Sequence, residues 1–97
     1  MSSPITLIAT LTALPGYAEA VESSLRQLVP LSQAEAGCLQ YNLHSHQEQA
    51  NRFIMVEQWQ DAEALSAHQQ TAHFKHFVET CGSLLESVDH QLMHRII

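Results

Sequence analysis

The stretch that decides the fold is NRFIMVEQWQDAEALSAHQQTAHFKHF, residues 51–77. Its first half alternates: Phe53, Met55, Glu57 and Trp59 fall on one side of an extended chain, Ile54, Val56 and Gln58 on the other. Period two over Arg52–Trp59 predicts a strand. Both of its faces are largely apolar, and a carboxylate is set into one of them. At Asp61 the period changes. Asp61 is an N-cap residue, Glu63 and Ala64 occupy a first helical turn, and Ala62, Leu65 and His68 share a helical face. Thr71 reads as a second cap, opening a further helix that carries Phe74, Phe77, Val78 and Cys81. The stretch holds the only Trp, the only Lys and three of the seven His. A strand that feeds a two-piece helix therefore carries the best candidates for chemistry.

The rest of the chain follows the same two periods. Ile5–Ala13 (ITLIATLTA) alternates and is β-branched, so it reads as a strand. Pro15-Gly16 punctuates it. From Tyr17 onward Ala18, Val21, Leu25, Leu28 and Val29 recur at threes and fours, an amphipathic helix. Pro30 predicts a bend in it, with a last turn to about Ala36 and Gly37 as the stop. Cys38–Ser45 is a second strand, with Leu39, Tyr41 and Leu43 on one face and Cys38, Gln40, Asn42 and His44 on the other. The polar segment His46–Ala50 makes a hairpin loop to the strand at Arg52. Gly82 ends or kinks the last helix, and Val88–Ile97 closes the chain as a strand. The order is β-α-β-β-α-β, so the fold class is α+β, ferredoxin-like, an antiparallel sheet with helices on one face. One such domain spans residues 1–97.

Composition narrows the function. The chain is 45% apolar and 14% charged, against roughly 25% charged in an ordinary soluble domain. Thr6, Ile8, Ile54, Val56 and Met93 lie on strand faces opposite other apolar residues, which a solvated sheet face does not require. Burying that second face against a copy of the chain gives a symmetric homodimer. A net charge of −6 with no basic run argues against nucleic acid and against anionic membranes. No positively charged segment precedes the apolar Ile5–Leu14, and no membrane-length apolar run exists, so the cytoplasm is the expected location. Cys38 and Cys81 fit no C-x-x-C spacing and read as free thiols.

Glu35-Ala36-Gly37-Cys38-Leu39, Tyr41, Glu57-Gln58-Trp59, Ala67-His68 and Thr71-Ala72-His73-Phe74-Lys75 together resemble the antibiotic biosynthesis monooxygenase family. Within it the chain looks most like small quinol monooxygenases and autoinducer-2-degrading proteins. The resemblance covers nearly the whole chain. It implies a dimeric α/β barrel that oxidises a small phenolic or quinol-like substrate with O2, using no metal, flavin or haem. A haem-degrading branch of the family carries an Asn on the first strand and a Trp where this chain has His68; here the first strand offers Ala9 and Thr10. Two other readings stay open: a small-ligand-binding or stress-associated protein without turnover, and non-oxidative degradation or isomerisation of a small signal molecule.

Oxidation without a cofactor needs a substrate that gives an electron to O2, which a phenol does far more readily once deprotonated. The protein must then supply a base and a dry pocket. His68, facing the sheet beside Leu65, is the candidate base or substrate hydrogen-bond partner; the alternative is a structural His in the helix–sheet packing. His73 lies near a helix N-terminus, where the dipole favours neutral imidazole. Glu57 is the third catalytic candidate: paired with His68 it would orient the base, and otherwise it pairs with Arg52 or Arg95 or sits exposed at an edge. Trp59, Asn42, His44 and Tyr41 are the candidates for binding the substrate, with a core or rim role as the alternative for the aromatics. The His pairs at 44/46 and 90/94, and His73, His76 and Glu79, form no recognised metal signature, and no metal is expected.

Overall fold

The computed structural model describes residues 3–97. Its strands are β1 (Ile5–Ala13), β2 (Cys38–Ser45), β3 (Arg52–Trp59) and β4 (Leu85–Met93). Its helices are α1 (Ala18–Gln33), α2 (Ala62–Gln69) and α3 (Ala72–Cys81), and a single 3-10 turn, Gly82–Leu84, leads into β4. The strands form one antiparallel sheet in the order β2-β3-β1-β4. This is the ferredoxin-like α+β arrangement read from the sequence, with its second helical region in two pieces. Among the described residues no helix is long and apolar enough to cross a membrane.

The centre of the sheet is the pairing of β1 with β3, in which Leu7 stands opposite Glu57, Ala9 opposite Met55 and Leu11 opposite Phe53. Along β3 burial alternates strictly, with Phe53, Met55, Glu57 and Trp59 buried under the helices. Helix α1 buries Val21, Leu25, Leu28 and Ser32, a stripe spaced four, three and four that lies down one side of the helix. Val21, Leu25 and Leu28, with Leu7, Leu11, Ala13, Tyr41, Phe53, Met55, Trp59, Leu65, Phe77 and Cys81, make the core. Burial there carries roughly 25 cal/mol for each Å² of apolar surface removed from water.

Caps and turns fix where the helices begin. The Asp61 carboxylate accepts from the Ala64 amide at 2.8 Å and the Thr71 hydroxyl from the Phe74 amide at 3.2 Å, so both residues are the caps the sequence predicts. Gly16 has φ of 87°, a left-handed turn residue ahead of α1. In the β2–β3 loop, Nδ1 of His46 accepts from the amides of Glu48 and Gln49, both at 3.1 Å, and Asn51 donates its side-chain amide to the Ala13 carbonyl at 3.1 Å.

Three details differ from the sequence reading. Helix α1 stops at Gln33, ahead of Ala36, although it runs through Pro30 without interruption; the position sits in the exposed last turn, where one missing N–H is tolerable. Gly37 is not a left-handed helix stop: among the described residues only Gly16 has a positive φ. Its hydrogen faces Ala64, and a Cβ there would run into the Ala64 methyl. Gly37 instead lets the start of β2 lie against α2. Strand β4 begins at Leu85 and ends at Met93, so His94 to Ile97 lie beyond it; the pairing with β1 ends there because β1 begins only at Ile5, with Thr6 opposite Met93.

Candidate active site

Between the sheet and the helices lies a cavity of about 270 Å³. Leu7, Ala9, Leu11, Met55 and Tyr41 floor it from the sheet, Leu25 and Leu28 wall it from α1, and Leu65, Phe74 and Phe77 close it from α2 and α3. Val78, Val88 and His90 also line it and are exposed, so the cavity reaches solvent between α3 and the edge strand β4. Three titratable groups stand on its buried wall, His68, Glu57 and Tyr41. Such a volume suits an aromatic of one or two rings, since a dry cavity of about 150 Å³ already admits benzene.

His68 is 2% exposed. It sits on α2, three residues after Leu65, so both side chains point at the sheet. Its ring lies on the Trp59 indole, with centroids 4.6 Å apart and planes 36° from parallel. Phe74 meets it edge-on at 5.0 Å and Tyr41 at 5.3 Å. Nδ1 is 2.6 Å from Oε2 of Glu35. Nε2 is buried, and no described protein group bonds it. Burial in this aromatic box pushes the His68 pKa below the usual imidazole value, while the Glu35 contact opposes the shift. The neutral ring therefore prevails at neutral pH, with one nitrogen lacking any protein partner.

Glu57, 5% exposed, does not bond His68, nor Arg52 or Arg95. Its Oε1 accepts from the Trp59 indole Nε1–H at 2.9 Å. The reason is strand alternation: residues two apart on β3 point to the same face, which puts the indole directly beside the carboxyl. Burial raises the Glu57 pKa to about 7, against the indole hydrogen bond, which lowers it. Tyr41, buried at 3% exposure, has its phenol pushed upward by burial and then by the neighbouring Glu57, so it stays protonated.

Of the residues singled out from the sequence, His68, Glu57 and Tyr41 meet at the cavity. Trp59 lies beneath His68, fully buried, and is not among the side chains that line the cavity. His73 is half-buried on α3 and turns to Glu35, with Nε2 2.8 Å from the same Oε2. Asn42 and His44 do not reach the cavity. They are exposed and pair with Val56 and Ile54 on the far face of the sheet, because alternation along β2 sends them opposite to Tyr41. His76 is exposed.

The residue the sequence reading left without a role is Glu35. It follows the end of α1 and reaches both His68 and His73 from 33 and 38 residues away. Its signal was its place in the Glu35-Ala36-Gly37-Cys38-Leu39 run, but no periodicity links an acid after one helix to His residues on two others. Glu35, His68 and His73 also offer three ligand atoms within 4.8 Å of one another. Their spacing of 2.6 and 2.8 Å is that of direct hydrogen bonds; donors sharing a tetrahedral Zn²⁺ stand roughly 3.3 Å apart. To hold a metal, the carboxylate would have to draw back from both rings.

Similarity to known proteins agrees with this architecture. The family described as antibiotic biosynthesis monooxygenase matches residues 4–80. The chain belongs to the antibiotic biosynthesis monooxygenase family. Among members of known sequence, "Putative monooxygenase YcnE" of Bacillus subtilis is 37% identical over 83 residues, 86% of this chain and 87% of that one. "Probable quinol monooxygenase YgiN" of Escherichia coli is 33% identical, covering 84% and 89%. The crystal structure of PA3566 from Pseudomonas aeruginosa superimposes with a TM-score of 0.96 at 50% identity, over 100% of this chain and 98% of that one.

Proposed function

We propose that the protein is a monooxygenase that needs no cofactor and oxidises a small phenol or quinol with O2, with His68 as the base. Family membership, with relatives named as monooxygenase and quinol monooxygenase, supports the reaction class. The observation that carries the substrate class is His68: it lines an apolar cavity, and its buried Nε2 has no protein partner among the described residues.

A phenol enters with its ring against Leu, Met and Phe side chains and its hydroxyl toward Nε2. The O–H proton passes to Nε2, leaving a phenolate in a low-dielectric site where electron loss is easy. The phenolate gives one electron to O2, and the resulting superoxide joins a ring carbon, forming a C–O bond. His68 returns its proton to the peroxide anion. It then takes the ring C–H proton as the O–O bond breaks, and hands it to the departing hydroxide. Phenol and O2 thus become quinone and water. Tyr41 is a neutral hydrogen-bond donor beside the developing oxyanion. Glu57, with its raised pKa, presents a largely protonated carboxyl just below neutrality. On this reading the working form is a cytosolic homodimer.

Oxygen uptake with a panel of phenols and hydroquinones tests the proposal. His68→Ala is expected to remove the protein-dependent rate, with about 10²–10⁴-fold lost. The wild-type rate should fall on acidification with a midpoint below the ordinary His value, since protonating His68 removes the base. No protein-dependent uptake across the panel would sink the reading and favour a ligand-binding protein without turnover.

A further inference from the structure

We propose that Glu35 is the positioning residue of this site: by taking hydrogen bonds from His68 and His73 on one oxygen, it turns the unprotonated nitrogen of His68 toward the cavity. The inference rests on His68 being the base. A neutral imidazole has one N–H and one lone pair. A carboxylate oxygen only accepts, so the proposal puts the hydrogen on His68 Nδ1, which lies 2.6 Å from Oε2. The lone pair is then on Nε2, the atom without a protein partner. Without the carboxylate, an aromatic box of Trp59, Tyr41 and Phe74 has no reason to prefer one tautomer over the other.

His73 completes the arrangement. Glu35 is 14% exposed, and an acid after a helix end can otherwise swing to water. The second hydrogen bond, from Nε2 of His73 at 2.8 Å, holds the carboxylate from the solvent side while His68 holds it from the core. When His68 takes a proton from a phenol, the imidazolium forms 2.6 Å from a fixed negative charge, which offsets part of the cost of charging a buried ring. Glu35 touches no substrate in this scheme and moves no proton; it acts through His68.

The test is Glu35→Leu, which removes the acceptor shared by both rings. Nothing then holds the hydrogen on His68 Nδ1, and the Nε2–H form is expected to populate where the base should be. Nitrogen-15 NMR of the imidazole rings in the full chain is expected to show His68 as the Nδ1–H form in the wild type and to lose part of that form in the variant. With p-nitrophenol as probe, the wild type should shift bound probe toward the yellow phenolate, and the variant should bind it with a similar Kd but without the shift. Where phenols are turned over, kcat is expected to fall between about 10²- and 10⁴-fold with KM little changed. His73→Gln keeps a donor for Glu35 and should keep most of the activity, whereas His73→Ala should lose more. A His68 that remains wholly the Nδ1–H form in Glu35→Leu, or unchanged probe ionisation, overturns the inference. If the wild type oxidises no phenol, the proposed reaction fails, and the NMR result alone still decides the role of Glu35.

Discussion

At the scale of single residues, the cavity sets two buried titratable groups against each other. Glu57 has its pKa raised from 4.5 to about 7, so the folded chain holds this proton more tightly than the unfolded one. Its contribution is therefore intact below about pH 4.5 and is lost as pH rises through 7, because the native state must then bury a carboxylate. His68 has its pKa lowered. The folded chain holds that proton less tightly, so its contribution is intact above 6.5 and is lost as pH falls through the lowered value. Where both titrate, rising pH lowers stability through Glu57 and raises it through His68, so the two offset each other, and above 6.5 only the Glu57 loss continues. Glu57→Gln keeps an oxygen for the Trp59 indole and removes the alkaline loss. Thermal unfolding at pH 8 is expected to show the variant more stable by about 1–3 kcal/mol, with little difference at pH 5. An equal shift at both pH values would mean that Glu57 ionisation is not the cause.

At the scale of elements, the site depends on how α2 is seated. Its N-terminus is capped by Asp61 and its third residue, Ala64, lies against Gly37 at the start of β2. The Gln60 amide also donates to the Gly37 carbonyl at 2.8 Å. This close approach brings His68, one turn further on, within reach of Glu35 two residues before Gly37. Gly37→Ala inserts a methyl where there is no room and must push α2 off β2. A loss of about 1–3 kcal/mol is expected in denaturant unfolding, accompanied by weaker probe binding at His68. A Gly37→Ala variant as stable as the wild type would show that the gap closes without cost. Pro30, by contrast, lies in the exposed last turn of α1 and touches nothing in the site.

At the scale of the whole molecule, the sheet has one face under helices and one without them. The uncovered face carries Ile8, Ile54 and Val56, partly buried by their neighbours, and exposed Met93. The proposed homodimer covers this face. Sedimentation velocity at micromolar concentration is expected to give twice the 10.9 kDa of one chain, and Val56→Lys is expected to shift the population toward the single chain, because a charge at the centre of an apolar contact is costly to desolvate. A wild-type chain that sediments as a monomer removes the dimer. Asn42 and His44 lie on this same face, so any role they have belongs to that surface and not to the cavity.

The sequence by itself determined the element order, the two caps at Asp61 and Thr71, and the inward face of β3. These follow from period, cap chemistry and strand alternation, which act over a few residues. It also placed His68 toward the sheet, since one turn of helix separates it from Leu65. Tertiary structure alone decided who partners whom. The close packing of Gly37 on Ala64 delivered Glu35 to His68, 33 residues away. The same alternation that buries Tyr41 turned Asn42 and His44 away. Contacts across more than thirty residues leave no local period to read, and the strand-helix stretch 51–77 owes its chemistry to an acid that lies outside it.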